Sequence, residues 1–291
     1  MPVSLPAALD PVLPLLRCPS CGEELSPGDG ALRCPQRHSF DVARHGYVGL
    51  LTGARATSGD DGPMARARRE FLAAGRYAPI RRAVANLATE ADLAAGRTGR
   101  PGRPATVIDV GCGTGYYLAG VLDALPDAVG LGLDTSAHAL RAAAKAHERA
   151  AAATWDVFRP FPIASEQVDV VLDVFAPRNP AEFHRVLRPS GVLVVVRPFG
   201  GHLAELRRQV TQMVTVDPDK ERRLHQALDP YFETARTVQV EYTTPLTPRE
   251  AVDLVLMTPS ARHVTEAELS DDGELPEQVT VSVLATAYRR R

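Results

Sequence analysis

Lysine is nearly missing from this 291-residue chain: Lys145 and Lys220 stand against 31 arginines. Alanine is abundant, and together these biases read as high-GC coding, not as function. No run of about 18 apolar residues occurs, so no membrane-spanning helix is expected. The N-terminus has no basic region leading into an apolar stretch, which argues against secretion and makes the cytoplasm the expected location. Cysteine is scarce as well. Cys18, Cys21 and Cys34 lie close together, and the fourth, Cys112, stands alone. What remains is a chain of net charge −2, long enough for one main domain plus an extension.

The stretch that organises the rest is Thr106–Val110 followed by Gly111-Cys112-Gly113-Thr114-Gly115-Tyr116. The apolar run alternates too little for a half-exposed strand and reads as one buried on both faces, as in a parallel sheet. Gly111, Gly113 and Gly115 let the backbone approach a ligand, and a helix over 116–125 would present its first N–H groups there. A glycine loop alone is weak, because dinucleotide folds use a related G-x-G-x-x-G and many turns use glycine for sterics. The flanking acids sharpen it. Asp109 precedes the loop, and a strand over 129–133 ends in Asp134, nineteen residues after Gly115, where a ribose diol could be held. A strand over 151–155 ends in Asp156, placed to meet an adenine amine. S-adenosylmethionine is the cofactor this set favours, with a dinucleotide or a purely structural turn as alternatives. The pattern of Asp109, the three glycines with Tyr116, Asp134 and Asp156 resembles the class I methyltransferases.

In the N-terminal segment, Cys18-x2-Cys21, twelve residues and Cys34-x3-His38 make a four-ligand Cys3His set for tetrahedral zinc. So small a segment cannot bury enough surface to fold alone, whereas structural zinc supplies on the order of 10 kcal/mol. A cytosolic setting disfavours a disulfide, and the paired spacing disfavours unrelated thiols. All four ligands are used, which leaves no open catalytic position.

After the ribbon, 52–62 is rich in Gly, Ser, Thr and Asp, as a surface loop would be. Asp61 as N-cap and Pro63 in the first turn predict a helix over 63–74 closed by Gly75, with a second over 79–95. Charge is uneven here: between Arg33 and Arg82 ten arginines face four acids, a net of +6, so the other 241 residues sum to about −8. A basic insert on a mildly acidic enzyme fits a polyanionic substrate that touches one region. Arg33, Arg37, Arg44, Arg55, Arg66, Arg68 and Arg69 are the RNA-contact candidates; an ordinary solvated helix face is the alternative. The chain then divides into a zinc-ribbon RNA-recognition domain (1–51), a linker with connecting helices (52–104) and a catalytic domain (105–291).

Further units alternate, with helices over 136–150, 180–187, 203–213, 218–228 and 248–256 and strands over 168–175, 191–197, 237–242 and 278–288. That order predicts an α/β fold: a Rossmann-like, seven-stranded, mostly parallel sheet whose last strand is antiparallel, with ligands at the carboxyl ends of the strands. Asp173 and Phe175-Ala176-Pro177 lie at such an end. Asp173 is grouped with the cofactor acids, and the three residues after Val174 with the methyl acceptor. A methylase of exocyclic base amines would carry Asn/Asp/Ser-Pro-Pro-aromatic there, and pyrimidine C5 methylation needs a cysteine nucleophile where Cys112 would face cofactor. Transfer to a ring nitrogen, an oxygen or a small-molecule carbon remains, with in-line placement supplying most of the rate.

The ribbon with Cys34-Pro35-Gln36-Arg37-His38-Ser39-Phe40-Asp41, then Gly46-Tyr47-Val48-Gly49-Leu50-Leu51, Ala67-Arg68-Arg69-Glu70-Phe71-Leu72, Phe175-Ala176-Pro177 and Met257-Thr258-Pro259 resembles the 23S rRNA guanine-N1-methyltransferases over nearly the whole chain. The resemblance implies methylation of guanine N1 in the loop of hairpin 35 of 23S rRNA, in the wall of the ribosomal exit tunnel, and it allows a homodimer. One branch modifies rRNA position 745 and is typical of Gram-negative bacteria. The other modifies position 748, is similar to the tylosin-resistance methyltransferases of high-GC Gram-positive producers, and suits this composition better; it implies a contribution to macrolide resistance. This chain departs from the pattern at Arg178, where the family often has cysteine, and at Ser260, where an aromatic is common. A small-molecule methyltransferase acting on a quinone or antibiotic, and an RNA-binding adaptor with an inactive cofactor fold, are the competing classes.

Overall fold

The computed structural model describes residues 5–53, 59–94, 96, 103–210, 213, 220–271 and 275–291. Arg55 lies outside the described residues, as do parts of the segments expected at 52–62, 203–213 and 218–228. Three short strands, β1 (Ser26–Pro27), β2 (Ala31–Arg33) and β3 (Ser39–Asp41), pair antiparallel as the ribbon. Two helices follow, α1 (Gly62–Ala73) and α2 (Ala78–Ala94). The Asp61 side chain accepts from the Met64 N–H at 2.9 Å, and Gly75 closes the end of α1 at φ 78°. The cap and the C-terminal glycine thus act as their chemistry dictates.

The α/β part runs β4 (Thr106–Val110), α3 (Tyr116–Ala124), β5 (Val129–Asp134), α4 (Ala137–Ala143), β6 (Ala150–Thr154), β7 (Val168–Val174), α5 (Pro180–Val186), β8 (Leu187–Pro198), α6 (Ala204–Gln209), α7 (Lys220–Leu228), β9 (Phe232–Pro245), α8 (Pro248–Leu256), α9 (Glu266–Asp271) and β10 (Gln278–Arg290). The seven strands are ordered β6-β5-β4-β7-β8-β10-β9, and β10 runs antiparallel to both of its neighbours. The expected sheet is therefore present, and the order reverses beside β4. The glycine loop leaves the sheet at this switch point.

The helix expected over 136–150 ends at Ala143, and Ala150–Thr154 becomes β6. The strand expected over 151–155 is therefore present, one residue early: alanine favours helix intrinsically, but this run is buried and paired with β5, and tertiary context overrides propensity. Among the described residues no helix is long and apolar enough to cross a membrane.

The ribbon is not a free-standing module. Leu16, Phe40, Val48 and Leu50 share one core with Ile108, Leu131, Ala153 and Ile163 of the sheet side. Val48 also exchanges backbone hydrogen bonds of 2.9 Å with Ala152 and Thr154, so residues around 48 extend the sheet beyond β6. The opposite face of the sheet packs on α1, α2, α3 and α8. Hydrophobic contact runs across both expected boundaries, at 51 and at 104.

Candidate active site and metal centre

Two knuckles of the ribbon converge. The Gly22 N–H donates to the Cys18 carbonyl and the Arg37 N–H to the Cys34 carbonyl, at 2.8 and 2.9 Å, folding each ligand pair into a tight turn. His38 Nδ1 lies 3.5 Å from Cys18 Sγ and 3.3 Å from Cys34 Sγ, and Cys21 Sγ lies 3.7 Å from Cys34 Sγ. A tetrahedron with metal bonds of ~2.3 Å to sulfur and ~2.0 Å to nitrogen has edges of roughly 3.5–3.8 Å, so the four atoms fit zinc. They are also far from the ~2.05 Å of a disulfide.

At the switch point, Gly111, Gly113 and Gly115 all adopt positive φ, at 71°, 53° and 78°. A Cβ at Gly111 would stand 2.6 Å from the Ala176 Cβ, and one at Gly115 would stand 2.9 Å from the Ala146 Cβ. Those two glycines answer packing as well as ligand access. Asp134 accepts the Gly113 and Ser136 N–H groups, each at 2.8 Å, and burial raises its pKa. Because this carboxylate also ties the loop to β5, Asp134→Ala is expected to lower Tm as well as weaken S-adenosylmethionine binding, by roughly 10- to 100-fold. Calorimetry giving wild-type affinity would refute its place in the site.

Asp109 is buried below the loop, and its Oδ2 has no hydrogen-bond partner among the described residues. A lone carboxylate oxygen at this strand end suits a cofactor that brings an ammonium group. Burial, with the charges of Asp134 and Asp173, pushes Asp109 up to about 8 against the Leu118 N–H, which pulls the other way. A raised folded pKa means a contribution to stability that is present below the ordinary 3.8 and is lost as pH rises through about 8. Asp109→Asn is therefore expected to match wild type in Tm near pH 5 and to exceed it near pH 9. A Tm difference that did not change with pH would count against the shift.

The other candidates sort by position. Asp156 lies two residues past β6, half-buried, and accepts the Phe158 N–H at 3.0 Å. Tyr116 opens α3, but its ring lies under the Arg81 guanidinium, 5.1 Å away, which turns it toward α2. Asp173 is fully buried and faces Arg178 at 3.4 Å, so it has an internal counter-ion at the end of β7. Arg178, the departure from the resemblance noted above, supplies that charge.

The end of β7 is aromatic. Phe175 has φ 57°, rare for a bulky residue and a mark of a constrained site, and it remains 36% exposed. His202 stacks on it with centroids 6.1 Å apart and an interplanar angle of 19°, while Tyr77 and Tyr117 flank it at 6.2 and 6.5 Å. Ala176 sits over Gly111, and Pro177 is exposed beside it. Tyr77, Tyr117 and His202 escape the sequence reading because they come from three separate segments and carry no motif. His202 is buried and held down to about 4 by desolvation and by Arg207. Its Nδ1 accepts the Ser282 N–H at 3.2 Å, which assigns the proton of the neutral ring to Nε2.

Residues 16–55 match the family described as "RlmA, N-terminal", and residues 107–191 match a methyltransferase domain family. The chain is 47% identical to a Micromonospora griseorubida protein assigned as a 23S rRNA guanine-N1-methyltransferase, over 96% of this chain and 98% of that one. It is 42% identical to the 23S rRNA (guanine(748)-N(1))-methyltransferase of Streptomyces fradiae, with the same two coverages of 96% and 98%. The chain belongs to the 23S rRNA guanine-N1-methyltransferase family. A Bacillus subtilis (strain 168) member is 34% identical over 85% of this chain and 86% of its own.

Family membership brings the arginines back into view. Arg33, Arg37 and Arg44 of the ribbon are exposed, as is Arg69. Arg66 is half-buried and pairs with Glu70 and Glu266 at 3.3 and 3.1 Å. Arg68 is a correction: it turns inward, with Nε and Nη2 on Asp60 at 2.7 and 3.2 Å and Nη2 on the Met257 carbonyl at 2.6 Å. Successive helical residues rotate by about 100°, so positions 66, 68 and 69 of α1 cannot all face RNA. Arg141 and Lys145, which the charge count missed, lie exposed near His45 and Arg44.

Proposed function

We propose that this protein transfers a methyl group from S-adenosylmethionine to N1 of a guanine in 23S rRNA, at position 748 in the hairpin 35 loop, and thereby contributes to macrolide (tylosin) resistance. The observation that carries this reading is the aromatic end of β7, where a half-exposed Phe175 in a strained backbone conformation stands beside the glycine loop. Near-full-length similarity to the Streptomyces fradiae enzyme supports the choice of base and position. The bound cofactor would supply an electrophilic methyl group on a sulfonium.

The chain's own residues do the rest. Phe175, with Tyr77 and Tyr117 behind it, offers a face on which an unstacked guanine can lie. Guanine N1 passes its proton to water as the new N–C bond forms, and the negative charge this leaves on the ring develops toward O6. The Nε2–H of neutral His202 is the donor next to Phe175 suited to that charge. Exposed Arg44, Arg141 and Lys145, grouped around His45, suit the phosphates of the hairpin, and exposed Arg33 and Arg37 add charge on the ribbon. A homodimer is compatible with this reading, and an rRNA substrate accords with a cytoplasmic location.

Primer extension on hairpin 35 RNA treated with protein and cofactor is expected to stop at position 748, because N1 methylation blocks base pairing. A stop at 745 would move the site while keeping the reaction. Transfer to small molecules with none to rRNA would overturn the reading.

A further inference from the structure

We infer that Arg68 anchors the α-carboxylate of S-adenosylmethionine and that Asp60 positions it for this task. The inference rests on the cofactor assignment above and concerns a residue that charge counting had given to RNA. The Arg68 stem lies directly on the glycine loop: a Cβ at Gly113 would stand 3.1 Å from Arg68 Cδ. Glycine at 113 thus makes room for an arginine in addition to a ligand.

The guanidinium is held as a fork. Asp60 takes Nε and Nη2, the Met257 carbonyl takes Nη2 again, and Nη1 donates to nothing among the described residues. Its side chain is 26% exposed, so the unused edge is neither sealed in the core nor free in solvent. Asp60 is itself pinned above the end of β5. Its carbonyl accepts the Ser136 hydroxyl at 2.5 Å, and the preceding Gly59 packs where a Cβ would meet Thr135 Oγ1 at 2.8 Å. Although burial opposes its charge, Asp60 and Asp134 keep Arg68 ionised.

Electrostatics call for such a group. Asp60 and Asp134 stand together beside the loop, so an amino-acid carboxylate entering there is favoured by a cation that faces it. Asp60 and Met257 take three of the five guanidinium N–H donors, and the two on Nη1 remain for a carboxylate, a placement that a lysine ammonium in the same position does not reproduce. An arginine spent on RNA phosphates would instead project into solvent, as Arg69 does with a side chain 60% exposed.

The test is calorimetry with two nucleosides on the full chain: S-adenosylhomocysteine, and S-adenosyl-3-thiopropylamine, which keeps the ammonium and lacks the carboxylate. Wild type is expected to prefer the first by roughly 10- to 100-fold, the range for charge-assisted hydrogen bonds. Arg68→Met and Arg68→Lys should cut that preference to below about threefold by weakening only the first ligand. Asp60→Asn should reduce the preference partially. No preference in wild type, or a preference that survives in Arg68→Lys, overturns the assignment, and so does equal weakening of both ligands. Should Arg68→Met fail to fold, Arg68→Lys and the wild-type preference decide. Failure of wild type to bind S-adenosylhomocysteine at all would instead remove the cofactor reading.

Discussion

Removing the metal, or changing Cys21 to serine, is expected to abolish rRNA methylation, by more than about 100-fold, and to lower Tm by on the order of 10 °C. Both effects follow from one fact. The ribbon's Leu16, Phe40, Val48 and Leu50 lie in the same core as Ile108, Leu131 and Ala153, so a ribbon that loses its zinc uncovers one face of the sheet. From spacing alone the ribbon would seem separable, with the catalytic domain indifferent to its loss. Contact with the edge of β6 argues otherwise, since the Leu51 N–H donates to Thr154 Oγ1 at 3.0 Å, two residues before Asp156. Cofactor affinity should therefore fall too, though by less than activity, because β4, β5 and the glycine loop are held by their own pairing. Zinc content, Tm and cofactor calorimetry on one preparation decide it. A zinc-free protein of unchanged Tm that still methylated its hairpin would sink the shared-core argument and the recognition role together.

Phe175→Ala is expected to lower kcat/KM for RNA by roughly 5- to 150-fold, the span of ~1–3 kcal/mol for one base stacked on an aromatic ring. Cofactor affinity should stay within about twofold, because the loop glycines and Asp134 are untouched. Stability should change little, since the ring is already 36% exposed and its truncation opens no sealed cavity. Phe175→Tyr, which keeps the face, should retain most of the activity. A large fall in Tm with unchanged kcat/KM in the folded fraction would make Phe175 a packing residue and move the acceptor pocket elsewhere.

Local chemistry made much of the molecule legible. Asp61, Pro63 and Gly75 bound α1 because capping and positive φ are properties of single residues. Cys18, Cys21, Cys34 and His38 could be joined because each pair lies within one turn and zinc accepts few geometries. Arg68 could not be read, since its meaning depends on which side of α1 faces Gly113 and on Asp60 and Met257, the latter 189 residues away. His202, Tyr77 and Tyr117 met around Phe175 for a similar reason: none has a neighbour in sequence that hints at the others.

Sequence alone determined the sheet, its glycine loop and the zinc ligands, because periodicity, turn stereochemistry and ligand spacing act over a few residues. Tertiary structure alone decided which arginines reach solvent and which acid keeps a carboxylate oxygen without a partner among the described residues. It also decided how ribbon and sheet share a core. Such properties depend on burial and on charges brought together from distant parts of the chain, and a carboxylate such as Asp109 acquires its raised pKa only when folding removes water and sets Asp134 and Asp173 beside it.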